Sequence, residues 1–419
     1  MDRVLVFGQP SSARTGLTRG LWRDGDRCDV VWSGTRSGDV LFSRAVRNFY
    51  LDGPPGDQLA SAFHARAMSG SYDIVIPMLD WETWLVVTHA AELRPHVGFL
   101  VPEVGAFRLA SDKAAVMAHA RSLGIATPRV WDWPSPPDLD SLSDEIRFPV
   151  VVKARSGSGV QRGLRFAMDR RQLQQAHLEI ESETATMPTE DFTRPLIMEF
   201  IPGFIHDACA LATGGEVINV LTQVRQLMTP IRGGVGAVNI TTNEPELREL
   251  ARTLLESLNW RGPAQIEFKY DPRDGQYKLI ELNPRLWGTL DLAIRAGMNF
   301  PAQMRDLIRR RPVRRDQEYR VGLRYIFVTR AIGAYAELAR TLGMRALGDR
   351  RRYPATTFGL DWRDPIPEVW RFGSMVGQVA GRVPSVALGR LQGHRGRDSG
   401  GTLPIRYLNT LDRSTDPGF

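Results

Sequence analysis

The chain has few of the sequence features that characterise several common classes of protein. The 419 residues include only two cysteines, Cys28 and Cys209, which lie far apart and match no metal or redox spacing. Disulfides are therefore not expected, as in a reducing compartment, and we expect a cytoplasmic location. No stretch reaches the roughly 18 apolar residues of a membrane-spanning helix, so no membrane segment is predicted.

Several catalytic and nucleotide-binding motifs are also missing. The loop after the first apolar run reads GQPSSARTG, which lacks the G-x-G-x-x-G spacing of dinucleotide-binding folds, and no glycine-rich loop continues as G-K-[ST]. The seven histidines show no metal-ligand spacing, and no Ser–His–Asp or Cys–His set stands out. A nicotinamide cofactor, a Walker P-loop and a covalent enzyme intermediate are therefore not supported.

Lysine is rare, with four residues against 50 arginines, and the net charge is +7. Residues 301–419 hold 22 Arg but only 11 Asp or Glu, so the positive charge is concentrated in this region. A coding bias toward arginine explains such a composition more simply than a polyanion site, which is the alternative. We expect no specific nucleic-acid partner.

The first hundred residues alternate short apolar runs with helix-like segments. Runs at 4–7, 29–32 and 73–77 have the length of strands, and helical apolar spacing extends from Trp81 to Leu93. Strands that alternate with helices indicate a parallel α/β sheet. We therefore predict an N-terminal α/β domain over residues 1–110.

The pattern changes from residue 111 onward. A predicted helix, SDKAAVMAHARSLG, is followed by apolar runs that include PVVVK, PLIMEFI, AQIEFKY and YKLIELN. Adjacent strands joined by short turns indicate an antiparallel α+β domain, here over residues 111–302. A mainly helical, basic C-terminal extension is predicted over 303–392, and a flexible tail over 393–419.

Two acidic residues on neighbouring predicted strands are the strongest functional signal. Glu267 is followed by Glu281, which begins the motif E-L-N-P-R. Glu281 and Asn283 lie at i and i+2, on one strand face, so with Glu267 they offer the hard oxygen ligands that magnesium prefers. Arg285 can bind a phosphate or an acyl phosphate bidentately.

A lysine at the end of a buried strand is the second signal. Lys153 ends the run PVVVK and leads into ARSGSGVQRG. A lysine in this place can reach a phosphate, while glycines allow backbone N–H groups to approach a nucleotide closely. By itself the segment is equally typical of a β-hairpin with a glycine turn.

Together these residues resemble the ATP-grasp superfamily, in which two α+β lobes clamp ATP between antiparallel sheets. The resemblance runs from about Ser111 to Pro301, and the continuation LWGTLDLAIRAGMNFP resembles carboxylate–amine ligases near the carbamoyl-phosphate synthetase grasp domains. It implies a first nucleotide-binding lobe with a lid over 111–200 and a second lobe with the metal site over 201–302. Residues 1–110 resemble the domain that usually precedes the grasp.

The resemblance also implies roles for individual residues. It implies that Lys113 and Lys153 contact phosphate and that the backbone of a hinge segment contacts the edge of the adenine. Glu267, Glu281 and Asn283 are the implied ligands of Mg²⁺, which Mn²⁺ could replace. The remaining implied contacts are lid residues Ser156, Gly157, Ser158 and Gly159 and hinge residues Glu199, Phe200 and Ile201.

One position departs from the family pattern. Many relatives hold the ribose hydroxyls with a glutamate shortly after the hinge glycine, and here Asp207 is the nearest acid that could replace it. A plain surface aspartate is the alternative. Arg225 is a candidate for substrate or γ-phosphate contact, with a surface salt bridge as its alternative. Arg285, Lys153 and Arg225 are the expected catalytic residues.

The expected reaction joins a small-molecule carboxylate to an amine through an acyl phosphate, using ATP and releasing ADP and phosphate. Other ATP-grasp chemistry, such as phosphotransfer or acid–thiol ligation, and a nucleotide-binding regulatory role without turnover are the alternatives. A homodimer is compatible with this interpretation. We also expect residues 303–390 to pack on the catalytic body, because VGLRYIFV at 321–328, Trp362 and Trp370 are apolar.

Overall fold

Three β-sheets organise the protein. The computed structural model describes residues 2–8, 12–32, 43–51, 56–131, 146–156, 163–184, 194–231, 233–342 and 355–374. Its sheets contain four, four and seven strands in chain order. No helix in these ranges is long and apolar enough to cross a membrane. The tail predicted over 393–419 lies outside the described residues.

The first sheet is parallel, with the strand order β3-β2-β1-β4. Strands β1 and β4 are apolar throughout and every residue of both is buried, because apolar side chains of the surrounding helices pack on both faces of the sheet. The predicted α/β arrangement is therefore present. Its elements are β1 (Val4–Phe7), α1 (Ser12–Arg23), β2 (Cys28–Trp32), β3 (Val46–Leu51), α2 (Asp57–Met68), β4 (Ile74–Pro77), α3 (Asp80–Thr88), α4 (Ala90–Leu93) and α5 (Val104–Ser111).

The second sheet is antiparallel, with the order β5-β8-β6-β7. One helix packs on it with Leu173, Ala176 and Ile180 against Val150 and Val152. The spacing of these three helix residues places them on one face. The elements of this region are α6 (Lys113–Ser122), β5 (Val130–Trp131), β6 (Val150–Lys153), β7 (Leu164–Ala167), α7 (Arg170–Thr184) and β8 (Leu196–Glu199).

The third sheet has the order β13-β12-β9-β10-β11-β14-β15 and is antiparallel except for its last pair. Helix α8 covers one face with four buried residues at helical spacing, Leu247, Ala251, Leu254 and Leu255. The elements are β9 (Ile205–Thr213), β10 (Glu216–Thr229), β11 (Val235–Thr242), α8 (Pro245–Ser257), β12 (Gly262–Asp271), β13 (Gln276–Asn283), α9 (Leu290–Arg295), α10 (Phe300–Ile308), β14 (Leu323–Ile326), α11 (Val328–Leu342) and β15 (Ala355–Phe358).

The C-terminal extension is less helical than predicted, since β14 and β15 continue the third sheet. In β14 the residues Leu323 and Tyr325 are buried while the residues between and after them are partly exposed. This period of two is that of a strand. Packing on the body is confirmed for the described residues, but burial of both tryptophans is wrong, because Trp362 is 84% exposed and Trp370 is 45% exposed.

The C-terminal segment is attached to the first sheet through helix α1. Arg19 is almost fully buried and pairs with Asp364 at 3.0 Å and with Glu368 at 2.6 Å. Arg23, one turn later in α1, pairs with Asp361 at 2.6 Å. Because these partners lie more than 300 residues apart in sequence, the pairs link opposite ends of the described chain.

Replacing Arg19 by Ala should lower the free energy of unfolding by about 3 to 5 kcal/mol, because it leaves Asp364 buried without its counter-ion. Urea unfolding of the full chain measures this. The control is Arg3→Ala, which removes a pair with Asp73 whose side chains are 48% and 26% exposed; its cost should be at most about 1 kcal/mol. Equal effects of both variants would contradict the role assigned to Arg19.

Candidate functional site

Three acidic side chains lie side by side on one face of the seven-stranded sheet. Glu281 of β13 is directly opposite Glu267 of β12, and Glu267 is directly opposite Asp207 of β9. Residues directly opposite each other in antiparallel strands have their side chains on the same face. Glu281, Glu267 and Asp207 therefore form one line across three strands, called the carboxylate row below.

Asn283 joins the carboxylate row from the strand that carries Glu281. Its Nδ2 donates to Glu281 Oε1 at 3.1 Å and to Glu267 Oε1 at 3.3 Å. Its Oδ1 accepts a hydrogen bond from Arg285 Nη2 at 3.1 Å. The structure thus brings together the three residues that the sequence singles out as metal ligands, and places Arg285 beside them.

Two lysines meet the carboxylate row from outside its sheet. Lys153, the last residue of β6, forms an ion pair with Glu281. Lys113, the first residue of α6, is 6% exposed; burial lowers the pKa of its ammonium, and the charge of Glu281 opposes the shift. The two lysines therefore face the same carboxylate.

The start of helix α6 is fixed by local contacts that position Lys113. Asp112 caps the helix, accepting hydrogen bonds from the backbone N–H of Ala114 and Ala115. Its carboxylate also binds the Arg155 guanidinium through two contacts of 2.9 Å. Arg155 follows Lys153 by two residues, so this pair ties the helix start to the end of β6.

Asp207 and Arg225 have different surroundings from those expected. Asp207 is fully buried, and its Oδ1 accepts from Arg225 and Gln265 while its Oδ2 accepts from Arg225 and Gln223. Each oxygen already accepts two hydrogen bonds, so none is available to ribose hydroxyls. The ribose assignment rested on sequence position alone, which does not show burial.

Arg225 is a buried counter-ion, not a surface salt bridge. Besides the bidentate contact with Asp207, its Nη2 lies 2.5 Å from Glu267 Oε1. Arg225 therefore joins two members of the carboxylate row. Its predicted contact with substrate or phosphate stays a prediction.

Burial and neighbouring charges act differently on the two glutamates. Burial raises the pKa of Glu267 from its ordinary 4.5 to about 7, and Arg225 only partly opposes this. Burial also disfavours the charged form of Glu281, but Lys153 and Lys113 outweigh it and hold the pKa of that carboxyl well below its ordinary value. The row thus contains one firmly ionised carboxylate and one that titrates near neutral pH.

The predicted hinge follows β8. The backbone N–H of Glu199 donates to Arg129 O at 2.9 Å, and its carboxylate pairs with Arg273 at 2.6 Å. Phe200 is half-buried, and the carbonyl of Ile201 accepts a hydrogen bond of 2.5 Å from Lys269 Nζ. The Ile201 carbonyl is therefore already engaged by a side chain.

The predicted lid is described only at its edges. Ser156 is half-buried at the end of the described range, and Gly163 resumes the chain before β7. A Cβ at Gly163 would lie 2.8 Å from Ala154 Cβ, so the two flanks of the loop approach closely there. The predicted contacts Gly157, Ser158 and Gly159 lie outside the described residues.

Three further residues near the site were not predicted. Asp80, at the start of α3, lies 3.3 Å from Arg285. Lys269 is two residues after Glu267, and as one of only four lysines it carried a usable signal. Arg330 of α11 donates to Gly236 O at 3.2 Å and to Ser12 Oγ at 3.1 Å. In an arginine-rich sequence nothing distinguishes Arg330 from its neighbours.

Comparison with known families agrees with this geometry. Residues 191–331, which contain the hinge, the carboxylate row and Asn283, match the family model described as "ATP-grasp in the biosynthetic pathway with Ter operon". This part of the chain resembles ATP-grasp proteins.

The individual proteins to which the chain is similar are distant from it. A D-aspartate ligase of Enterococcus faecium is 29% identical over 99 residues, which cover 22% of this chain and 23% of that relative's length. Biotin carboxylase of Campylobacter jejuni, crystallised as a β,γ-ATP complex, has a TM-score of 0.62 at 18% identity, covering 77% and 74% of the two chains. For an L-amino acid ligase of Bacillus licheniformis the TM-score is 0.55 at 16% identity, covering 75% of each. These structures show the shared fold.

The raised pKa of Glu267 predicts a pH dependence of the protein's stability. Between its ordinary pKa of 4.5 and about 7, the folded state holds a proton that the unfolded chain releases. This group therefore stabilises the fold at low pH, and the contribution is lost as pH rises through about 7.

The measurement is the free energy of unfolding of wild type minus that of Glu267→Gln, with a chelator present. This difference should fall by about 3 kcal/mol between pH 4.5 and 7.5. Subtraction removes the titration of other groups, such as buried His206, which both proteins share. A difference independent of pH would show that Glu267 is ionised throughout.

Proposed function

We propose that this protein is an ATP-dependent ligase that joins a carboxylate to an amine through an acyl phosphate. One observation carries the proposal: Lys153, from outside the seven-stranded sheet, contacts Glu281 of the carboxylate row, and the charge of the same carboxylate acts on buried Lys113. Cations for phosphate and oxygen ligands for a metal are thereby placed together. A kinase-like or ligase-like transfer of a phosphoryl group needs both.

The cleft between the second and third sheets is the proposed nucleotide site. The hinge residues Glu199, Phe200 and Ile201 lead from one sheet to the other, and Gly203 lies so close to Tyr270 that a Cβ would meet its carbonyl at 1.6 Å. This contact fixes the hinge against β12. The similarity to biotin carboxylase, whose structure contains a nucleotide, supports ATP as the ligand.

Glu267, Glu281 and Asn283 fit a magnesium ion in the chemistry of their donors, which are two carboxylates and one amide oxygen. Bound there, magnesium would screen the charges of the nucleotide phosphates. Lys153 pairs with Glu281, so its ammonium is held beside the proposed metal ligands, where it would also meet phosphate oxygens. Lys113 and Arg285 would neutralise the remaining charge on the transferred group.

The proposed reaction has two steps. A substrate carboxylate oxygen attacks the γ-phosphorus, and the bond to the β-phosphate oxygen breaks to release ADP. The amine nitrogen then attacks the acyl carbon, the C–O bond breaks, and phosphate leaves with the electron pair while the amine loses a proton. Arg285, held by Asn283 and Asp80, is the group proposed to bind the acyl phosphate between these steps.

The names of the relatives support a ligase over the other chemistries. The D-aspartate ligase and the L-amino acid ligase both carry ligase activities in their names. We also propose a division into domains. Residues 1–110 form the domain that precedes the grasp, residues 111–302 form the catalytic domain, and residues 303–392 form an extension that completes it. A screen of carboxylate and amine pools should show ADP and phosphate release that requires one member of each pool.

Replacing Lys153 by Met should weaken MgATP binding by about tenfold or more, because a charge-assisted contact to phosphate is lost. Calorimetry measures the affinity, and circular dichroism checks that the variant is folded. Lys278→Met is the control, because Lys278, on β13, also pairs with carboxylates, but with those of Asp271 at the end of β12 and Asp274 in the following turn. Unchanged ATP affinity for Lys153→Met would remove this lysine from the nucleotide site.

Replacing Glu281 by Gln keeps the size of the side chain but removes one ligand charge. Turnover, measured as ADP formation at saturating magnesium, should fall by about a hundredfold or more. The control is Glu216→Gln, since Glu216 is an exposed residue that pairs with Arg315 on the surface. Normal ADP formation by Glu281→Gln would refute the metal assignment.

A further inference from the structure

Asn239 is a buried amide that no other described residue satisfies. It lies in β11 and is 0% exposed, and neither its Nδ2 nor its Oδ1 has a hydrogen-bond partner in the described part of the protein. Burial of a polar group without a partner destabilises a fold, so nearly all buried amides are paired. An asparagine retained in this state indicates a partner that is absent from the protein itself.

The position of Asn239 places this amide beside the carboxylate row. Asn239 is directly opposite Arg225 of β10, and Arg225 contacts Glu267 on the same face of the sheet. A Cβ at Gly236 would lie 2.2 Å from Asn239 Oδ1, so the amide lies directly over the backbone of Gly236. The amide therefore lies on the same face of the sheet as the carboxylate row.

A cation without a counter-ion lies at the same place. Arg330 donates to the carbonyl of Gly236 and stacks at 4.4 Å over the ring of Phe327, but it forms no ion pair among the described residues. Burial, together with the neighbouring cations Arg371 and Arg225, lowers the pKa of Arg330 to about 10, and Tyr325 partly opposes this shift. A half-buried guanidinium beside other cations favours the binding of an anion.

We propose that Asn239 and Arg330 bind an amine substrate that also carries a carboxylate, as an amino acid does. Arg330 would pair with the substrate carboxylate, and Asn239 Nδ2 would donate to it. Asn239 Oδ1 would accept a hydrogen bond from the substrate's amino group. The inference rests on the proposed ligase function and specifies the class of its amine substrate.

The anchoring of Arg330 supports this arrangement. Its Nη2 donates to Ser12 Oγ, and Ser12 in turn donates to the carbonyl of Gly288 at 2.8 Å. Ser12 begins α1 after the first parallel strand, and Gly288 follows Arg285 by three residues. The guanidinium is thus held at the carboxyl edge of a parallel sheet, where α/β folds bind their ligands.

The first experiment measures binding of amino acids to the full chain in the presence of MgADP. The probes are the standard amino acids in L form, the D enantiomers of the chiral ones, and the decarboxylated amine of each amino acid that binds, such as ethylamine for alanine or phenethylamine for phenylalanine. At least one amino acid should bind the wild type, and its decarboxylated counterpart should bind at least about tenfold more weakly. Absence of binding by every amino acid, or equal binding of the matched amines, would overturn the inference.

The variant Asn239→Leu separates the amide from the rest of the site. It should weaken amino-acid binding about tenfold or more while leaving MgATP affinity unchanged, because Asn239 is assigned to the amine site only. Unchanged amino-acid binding would overturn the inference. If the wild type forms ADP only with amines that lack a carboxylate, the ligase function stands and this inference fails. If amino acids bind but no substrate pair releases ADP, the inference stands and the ligase function fails.

The melting temperature distinguishes a binding role of Asn239 from a structural one, because the two roles predict opposite effects of Asn239→Leu. Asn239→Leu should leave the melting temperature unchanged or raise it, because no hydrogen bond is lost. The matched control is Asn219→Leu: Asn219 is equally buried, and its amide is bonded to Gln303, Arg314 and Gln317. This control should lower the melting temperature. An equal decrease for Asn239→Leu would show that its amide supports the fold and would overturn the inference.

Discussion

The ion pair between Lys153 and Glu281 is the contact on which the arrangement of the candidate site depends. It joins the four-stranded antiparallel sheet to the seven-stranded one, and it supplies charge to a row of three carboxylates that face each other across neighbouring strands. Like charges directly opposite each other destabilise a sheet. The row is tolerated because Lys153 compensates one end and Arg225 compensates Glu267 and Asp207.

This charge balance also explains why the two glutamates differ. Glu281 faces both lysines and stays ionised, while Glu267 is buried beside the other acids and has a raised pKa. A cation that binds between them would favour the ionised form of both. A bound cation would therefore reduce the repulsion between these carboxylates, which agrees with the proposed role of magnesium.

The arginine-rich composition has a structural use in the folded chain. Arg19 is buried against Asp364 and Glu368, and Arg305 of α10 pairs with Asp24, Asp26 and Asp306. Several arginines thus bind acids that are distant in sequence and hold the ends of the chain to the body. The basic C-terminal region serves in part as scaffold, and through Arg330 it reaches the site.

The class of fold and much of the site could be predicted from the sequence because they depend on local patterns. Strand-length apolar runs, the ending PVVVK and the motif E-L-N-P-R identify Lys153, Glu281, Asn283 and Arg285 without knowledge of the packing. The register of β12 and β13 then places Glu267 opposite Glu281. The helical description of the extension failed at β14, whose four residues acquire their strand geometry by pairing with β11.

Burial and partnership were decided only by the tertiary structure. Asp207 lies near the hinge in sequence, yet four hydrogen bonds from Gln223, Arg225 and Gln265 occupy its carboxylate. Nothing in the sequence distinguishes Asn239 or Arg330. In the described part of the structure, Asn239 stands out because its amide has no hydrogen-bond partner, and Arg330 because it has no ion-pair partner. Residue type and spacing determine which chemical groups a chain contains and how they lie along one strand. Which groups remain unpaired depends on contacts between strands and helices that are far apart in the sequence.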